Sequence, residues 1–139
     1  MKKIVWTILR LSMGFIFLWA FVDKLVGLGF TTLKESAWLN GGSPTSGFLL
    51  NVTNGPLAEY FQALAGVSIV DWLFMLGLLG IGLTLIFNRL VVWGALAGSL
   101  MFILMYLAAF PPASNPFIDD HIIYILVLIL IAFKSKEGF

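Results

Sequence analysis

The sequence predicts an all-α membrane protein, a bundle of four transmembrane helices, and composition and hydropathy carry that prediction. Hydrophobic residues make up 60% of the 139 residues, charged residues make up 11%, and the mean hydropathy is +1.03. Such a chain is expected to be solvated mostly by lipid. A hydrocarbon core about 30 Å thick requires roughly 20 helical residues to cross it, and four apolar blocks approach that length. These blocks are residues 4–22, 72–87, 90–110 and 118–133.

The first block predicts a retained span rather than a removed signal peptide, because Arg10 interrupts it and no small-residue cleavage site follows it. The distribution of lysine and arginine predicts that both termini lie on the inner side of the membrane. In that orientation the outer side holds only Lys24 and Lys34. The inner side holds the other basic residues, which are Lys2, Lys3, Arg10, Arg89, Lys134 and Lys136.

Residues 28–70 predict a structured outer segment between the first two blocks, since so long a stretch is uncommon as a plain connector. Thr32 and Glu35 have the spacing of a helix capping box. Ser43-Pro44 and Gly55-Pro56 each place a proline where a helix can begin. Apolar residues at helical spacing then predict a short amphipathic helix that lies on the membrane or covers the bundle. These apolar residues are Ala58, Phe61, Leu64 and Ala65.

Small residues in the second and third blocks predict close packing between helices, because lipid leaves contact between small side chains to hold membrane helices together. Asp71, directly before Trp72, predicts an N-cap for the second span. The small residues are Gly77, Gly80, Thr84, Gly94 and Gly98.

Several function classes are excluded by composition. A net charge of +1 provides no basic surface for nucleic acid. The absence of cysteine excludes disulfides, iron–sulfur clusters and thiol redox chemistry. One histidine supplies too few ligands for a haem or zinc centre, so no metal is expected, although a haem shared between two copies stays open. Asn51-Val52-Thr53 matches a glycosylation sequon, a pattern short enough to arise often by chance.

The strongest candidate site is the polar cluster at the start of the fourth block. Asp119, Asp120 and His121 precede an uninterrupted apolar run, and ionisable groups beside hydrocarbon usually have a partner or a function. Tyr124 lies three residues after His121 and four after Asp120, so these side chains can share one helix face. Histidine is suited to proton transfer near neutral pH. We therefore expect Lys24, at the outer end of the first span, to join them in one wet pocket.

Structural roles also explain these polar residues. Asn115 and Pro116 are suited to the N-cap and first position of a helix, and the helix dipole favours carboxylates in the first turn. Arg10 can extend its long stem to the inner headgroups. Asp23 and Lys24 can simply mark the membrane boundary.

Three motifs resemble the DoxX family of small four-helix membrane proteins. They are Arg10–Ala20 (RLSMGFIFLWA), Asp23-Lys24-Leu25, and Asn115-Pro116-Phe117 followed by Asp119-Asp120-His121. The outer segment 38–49 (WLNGGSPTSGFL) is similar to the DoxD-type branch, which includes the membrane subunit of thiosulfate:quinone oxidoreductase. The resemblance covers essentially the whole chain. It implies a multi-pass protein of a prokaryotic cell membrane, linked to quinone chemistry, with a companion DoxA-like or other redox subunit.

Quinone reduction requires an apolar slot, hydrogen-bond donors to the carbonyl oxygens and a proton path. His121, Asp120 and Tyr124 are expected to serve proton transfer, and Lys24 is expected to stabilise a quinol anion. The residues expected to hold the quinone are Arg10, Trp19, Asp23 and Asp119.

Three functions remain open at this level. The first is a quinone-interacting subunit that passes electrons from a small sulfur compound such as thiosulfate to membrane quinone. The second is a non-catalytic protein that binds or assembles other membrane components, and formation of a homo-oligomer is compatible with either. The third is a small-solute transporter, against which four spans without an internal repeat weigh.

Overall fold

The computed structural model describes residues 1–138, which form helices joined by turns and contain no strand. Four helices are long, and two short helices lie between the first two of them. Single 3-10 turns occur at Lys34–Ser36, Trp38–Asn40 and Gly55–Leu57. The helices are α1 (Lys2–Val26), α2 (Ser46–Asn51), α3 (Ala58–Gln62), α4 (Ser68–Ile86), α5 (Val91–Ala108) and α6 (Asp120–Glu137).

Three helices, α1, α4 and α5, are long and apolar enough to cross a membrane. Helix α6 equals α5 in length, at 18 residues, but carries Asp120 at one end and Lys134, Lys136 and Glu137 at the other. Among residues 1–138 the structure thus supports an all-helical membrane protein with three candidate spans, and the fourth span predicted from the sequence is not confirmed.

The long helices pack antiparallel in chain order. The start of α1 meets the end of α4, α4 reaches α5 through the short turn 87–90, and Gly98 of α5 lies against Leu128 of α6. One end of the molecule therefore collects the N-terminus, the α4–α5 turn and the C-terminal end of α6, and we call it the basic end. The largest fully buried apolar side chains between the helices are Phe17, Met75, Leu85, Leu128 and Ile131.

Small residues permit this packing, as predicted. A Cβ added at Gly98 would lie 3.0 Å from Leu128 and 3.1 Å from Phe17, and one at Gly94 would overlap the Thr84 hydroxyl. Glycine at these positions therefore allows the helices to approach closely.

Arg10 does not extend to the headgroups, as one interpretation of the sequence held. Its side chain is buried between α1 and α4, and its guanidinium donates to the carbonyl oxygens of Leu85 and Ile86, at 3.1 Å for the second. These carbonyls end α4 and have no partner within the helix, so Arg10 caps α4 from the neighbouring helix.

Asp23 holds the start of the loop segment, as we call residues 27–67. Helix α1 ends at Val26, and Gly27 follows with a left-handed backbone (φ 73°) that stops the helix and changes the chain direction. The Asp23 carboxylate is 1% exposed and accepts four backbone N–H groups and one hydroxyl at 2.8–3.3 Å. The N–H donors are Leu28, Phe30, Thr31 and Thr32, and the hydroxyl donor is Thr31.

Asp71 holds the far side of the loop segment. The prediction that Asp71 caps α4 is wrong, because α4 begins at Ser68 and Asp71 lies inside its first turn. Its buried carboxylate instead accepts the hydroxyls of Ser43 (2.8 Å) and Thr45 (2.5 Å). Trp38 of the loop segment packs edge-on against Trp72, with ring centroids 4.7 Å apart.

The interior of the loop segment agrees only partly with the sequence patterns. The capping box of Thr32 and Glu35 does not form, since the Thr32 N–H is taken by Asp23 and the following 3-10 turn has no side-chain cap. The prolines do lie near helix starts: α2 begins two residues after Pro44, and Pro56 lies in the turn Gly55–Leu57 that leads into α3.

The Asp23 network predicts that Asp23→Ala loosens the loop segment while leaving the long helices intact. Removing the shared acceptor leaves several backbone N–H groups without a partner. We therefore expect the free energy of unfolding to fall by on the order of 1.5–3 kcal/mol. Thermal unfolding and limited proteolysis in detergent measure it. Glu35→Ala, which removes an exposed carboxylate of the same segment, is the matched control. Equal protease resistance of the two variants would contradict the assigned role.

Candidate functional site

An apolar cleft of about 530 Å³, which we call the cavity, lies where the loop segment meets α4 and α5. It is open on one side, since Leu73, Leu100 and Leu104 of its lining are 47–65% exposed. Its walls come from α1, α4, α5 and the loop segment, and they are almost entirely apolar. The lining residues are Lys24, Pro44, Thr45, Phe48, Leu49, Phe61, Leu64, Val70, Leu73, Phe74, Gly77, Ile81, Ala97, Leu100, Met101, Leu104 and Met105.

Ring-bearing and flexible side chains shape this cavity. Phe48, Phe61 and Phe74 contribute aromatic surface, and Met101 and Met105 contribute adaptable thioethers. The predicted apolar face of residues 57–65 is present in part, because Phe61 and Leu64 line the cavity although α3 itself is short. These walls suit a flat apolar ligand with a tail.

Gly77 keeps the wall between α4 and α5 open. A Cβ at Gly77 would lie 2.8 Å from Cε of Met101, whereas a Cβ at Gly80 would meet nothing within 4 Å. Glycine at position 77 therefore leaves space beside Met101 that a larger side chain would fill, whereas a side chain at position 80 would displace nothing.

Lys24 is the cationic group of the cavity, and the structure places it at the end of α1 as predicted. Its Nζ donates to Oγ1 of Thr31 at 3.3 Å, and that hydroxyl in turn donates to Asp23 at 2.8 Å. An ammonium group has three donors, so Lys24 retains capacity for a ligand oxygen. Asp23, predicted to help hold a ligand, is instead occupied by the loop segment.

Thr45 is the second polar residue in the cavity wall, and sequence reasoning missed it. Its hydroxyl donates to Asp71 at 2.5 Å, and Ser46 extends the cluster by donating to Oγ of Ser43 at 2.7 Å. The spacing of these residues along the chain gives no periodic signal. Only the fold of the loop segment brings Thr45 over α4.

The polar cluster of α6 forms a separate group. Asp119 is the N-cap of α6, and its carboxylate accepts the backbone N–H groups of His121 (2.9 Å) and Ile122 (3.4 Å). Nδ1 of His121 lies 2.7 Å from Oδ2 of the same carboxylate. The prediction that Asn115 caps this helix is wrong, since Asn115 instead accepts the backbone N–H groups of Phe117 and Ile118 in the preceding turn.

Opposing effects act on the Asp119 carboxyl. Partial burial raises its pKa, but the hydrogen bond and charge of His121 and the N–H groups of Ile122 and His121 outweigh burial. The pKa of Asp119 therefore lies below its ordinary value.

His121 and Tyr124 share a face, as predicted, and both rings pack against Phe102 of α5 at 5.9 and 5.2 Å between centroids. Asp120 is exposed and does not pair with either ring within residues 1–138. The partner of His121 is thus Asp119 and not Asp120.

The predicted residues do not form one pocket. Within the described part of the chain no hydrogen bond or ion pair joins Lys24 to Asp119, His121 or Tyr124, and the cavity takes no wall from α6. Trp19 faces outward between Phe15 and Phe30, with centroids 5.6 and 5.0 Å away. Arg10 lies near the opposite end of α1, against the end of α4.

Fold and cavity together define a small helical protein with apolar helices that can span a membrane and with an apolar cavity toward the end opposite the basic end. No protein-family model, curated protein or solved structure matches the chain.

Filling the space at Gly77 is expected to close the cavity. Gly77→Leu places a side chain against Met101, so it should reduce binding of any cavity ligand at least tenfold while the protein still folds. Titration of the purified protein with a decyl-substituted benzoquinone measures the effect. Gly80→Leu, on the same helix but facing open space, should bind as the unaltered protein does. Equal losses in both variants would point to a general effect on α4 packing.

The lowered pKa of Asp119 predicts acid-dependent stability. A carboxyl whose pKa is depressed on folding stabilises the folded state above its unfolded pKa, about 3.9, and that stability is lost as pH falls through the lower folded value. Asp119→Asn should unfold at a lower temperature at neutral pH and converge with the unaltered protein in acid. Thermal unfolding in detergent across pH tests this, with Asp120→Asn as the exposed neighbour that should show no such difference. Parallel curves for Asp119→Asn and the unaltered protein would contradict it.

Proposed function

We propose that the protein is a quinone-interacting membrane subunit whose cavity holds the quinone head beside Lys24 and Thr45. The apolar cavity next to a single ammonium is the observation that carries the proposal. Its volume of about 530 Å³ falls in the range of roughly 300–1,000 Å³ typical of small-molecule sites. A second cavity, between α5 and α6, has only about 170 Å³.

The chemistry of the walls fits a quinone. Aromatic and methionine side chains offer surface to a ring and a tail, while Lys24 can donate to a carbonyl oxygen or stabilise an anionic quinol oxygen. The likeness of residues 10–25 and 115–121 to the DoxX family supports quinone over other tailed molecules.

Electrons for a bound quinone come from outside the chain in this proposal. The chain has no cysteine and a single histidine, so it offers few ligands for a redox centre of its own. We propose a companion DoxA-like or other redox subunit that takes electrons from a small sulfur compound such as thiosulfate. His121 and Asp119 then exchange protons with the aqueous side near the cavity rather than touch the quinone.

The membrane arrangement completes the proposal. Helix α6 packs along α5 through Leu128 and Ile131 and serves as a fourth span, with the charged residues at its ends in the headgroup regions. The basic end faces the cytoplasm of a prokaryotic cell, in keeping with its excess of lysine and arginine. The loop segment and the cavity then lie on the outer side of the plasma membrane.

A binding or assembly role is the second candidate, favoured by apolar side chains that the loop segment leaves exposed. Phe30, Leu39 and Tyr60 are each about 70% exposed. Loss of a co-purifying membrane partner on Leu39→Ser and Tyr60→Ser, with quinone binding unchanged, would identify this role.

Removing the ammonium tests the quinone site directly. Lys24→Ala should weaken binding of the decyl-substituted benzoquinone roughly tenfold or more, because a charged hydrogen bond to the head is lost. Isothermal titration in lipid nanodiscs measures the change.

Two further variants control that measurement. Lys34→Ala removes an exposed lysine of the loop segment that does not line the cavity and should leave the affinity unchanged. His121→Ala should retain quinone binding but lower turnover with the redox partner. Binding that survives Lys24→Ala and is lost in His121→Ala would overturn the location of the site.

A further inference from the structure

The hydrogen bond between Thr45 and Asp71 limits which polar groups of a ligand Thr45 can bind. Thr45 and Ser43 both approach the same atom, Oδ1 of Asp71, at 2.5 and 2.8 Å. A carboxylate oxygen accepts, so both hydroxyls donate to it. A hydroxyl has one proton and two lone pairs, and Thr45, having committed its proton, is left as an acceptor.

At Asp23, the other buried carboxylate at this end of the molecule, a threonine both donates to the carboxylate and accepts from a second group. Thr31 donates its hydroxyl to Asp23 at 2.8 Å, and its oxygen accepts from Nζ of Lys24 at 3.3 Å. A threonine held by a buried carboxylate thus takes a second donor in this protein. Thr45 lines the cavity, and within residues 1–138 no donor approaches its hydroxyl oxygen, so a second donor can come from a ligand.

We infer that the cavity selects a head that offers a hydroxyl to Thr45 and an acceptor oxygen to Lys24, and hence binds the quinol form more tightly than the quinone. This inference rests on the proposed quinone site and adds its preference between oxidation states. A quinone carbonyl facing Thr45 would place two acceptors against each other, whereas a quinol hydroxyl forms a hydrogen bond there. Thr45 is the specificity-determining residue, and Asp71 acts as a positioning residue through it.

The preference should equal what one neutral hydrogen bond provides, roughly three- to tenfold in affinity. The probes are a decyl-substituted benzohydroquinone, the matching benzoquinone, and the dimethyl ether of the hydroquinone, which accepts hydrogen bonds but cannot donate them. Each is titrated anaerobically into the protein in nanodiscs, and the ratio of the dissociation constants is the readout.

Four variants isolate the hydroxyl. Thr45→Ser keeps it and should retain the preference, while Thr45→Val removes it and should bring the three affinities within a factor of about two. Asp71→Ala frees the Thr45 proton to point at the ligand, so the ratio should shift toward the benzoquinone. Ser43→Ala removes the other hydroxyl on Asp71 without touching Thr45, so it controls for loosening of the loop segment and should keep the preference.

The outcomes separate this inference from the proposed function. Equal affinities for the three probes in the unaltered protein, or a preference that survives Thr45→Val, would overturn the inference and leave the quinone site standing. Failure of all three probes to bind would overturn the quinone proposal. In that case dodecanol and its methyl ether test only whether the cavity prefers a ligand that donates a hydroxyl to Thr45. Equal binding of the two compounds, or no binding of either, would overturn that preference as well.

Discussion

Two buried carboxylates, Asp23 and Asp71, are the constraint on which the outer half of this protein depends. The loop segment has little regular structure, so its backbone N–H groups and hydroxyls need acceptors. Asp23 supplies acceptors for four of the five N–H groups of residues 28–32, and Asp71 supplies them for the hydroxyls of Ser43 and Thr45. Burying a carboxylate is costly unless donors surround it, so each aspartate and its segment stabilise one another.

The cavity is a consequence of this anchoring. Hydrogen bonds to Asp23 and Asp71 hold the loop segment at the end of α1 and at the start of α4. The segment also lies against α4 and α5, and the cavity is the space left between them. Phe48 and Phe61 form the cover, and Gly77 keeps the helical wall open. The polar residues of the lining, Lys24 and Thr45, are each tied to one of these carboxylates, Lys24 through Thr31 to Asp23 and Thr45 directly to Asp71.

Hydropathy and helix periodicity were sufficient to predict the helical class, the positions of the long helices to within a few residues, and close packing at Gly77, Gly94 and Gly98. Gly80, predicted to pack as well, has no neighbour within 4 Å of an added Cβ. They could not place Asp71, because a carboxylate near a helix start has the same pattern whether it caps its own helix or accepts side chains from a distant loop. They also could not pair the predicted site residues. Lys24 and His121 lie toward the same end of the molecule but have different neighbours. Lys24 donates to Thr31, whereas His121 pairs with Asp119 and packs against Phe102.

Photo-crosslinking with a diazirine-tailed benzoquinone, followed by peptide mapping, tests the central claim that the ligand head lies in the cavity covered by the loop segment. The account predicts labels on α2 and on the facing walls of α4 and α5, around Phe48, Phe74 and Met101, that excess unlabelled quinone removes. Labels confined to residues 119–124 of α6, with these walls unlabelled, would contradict it.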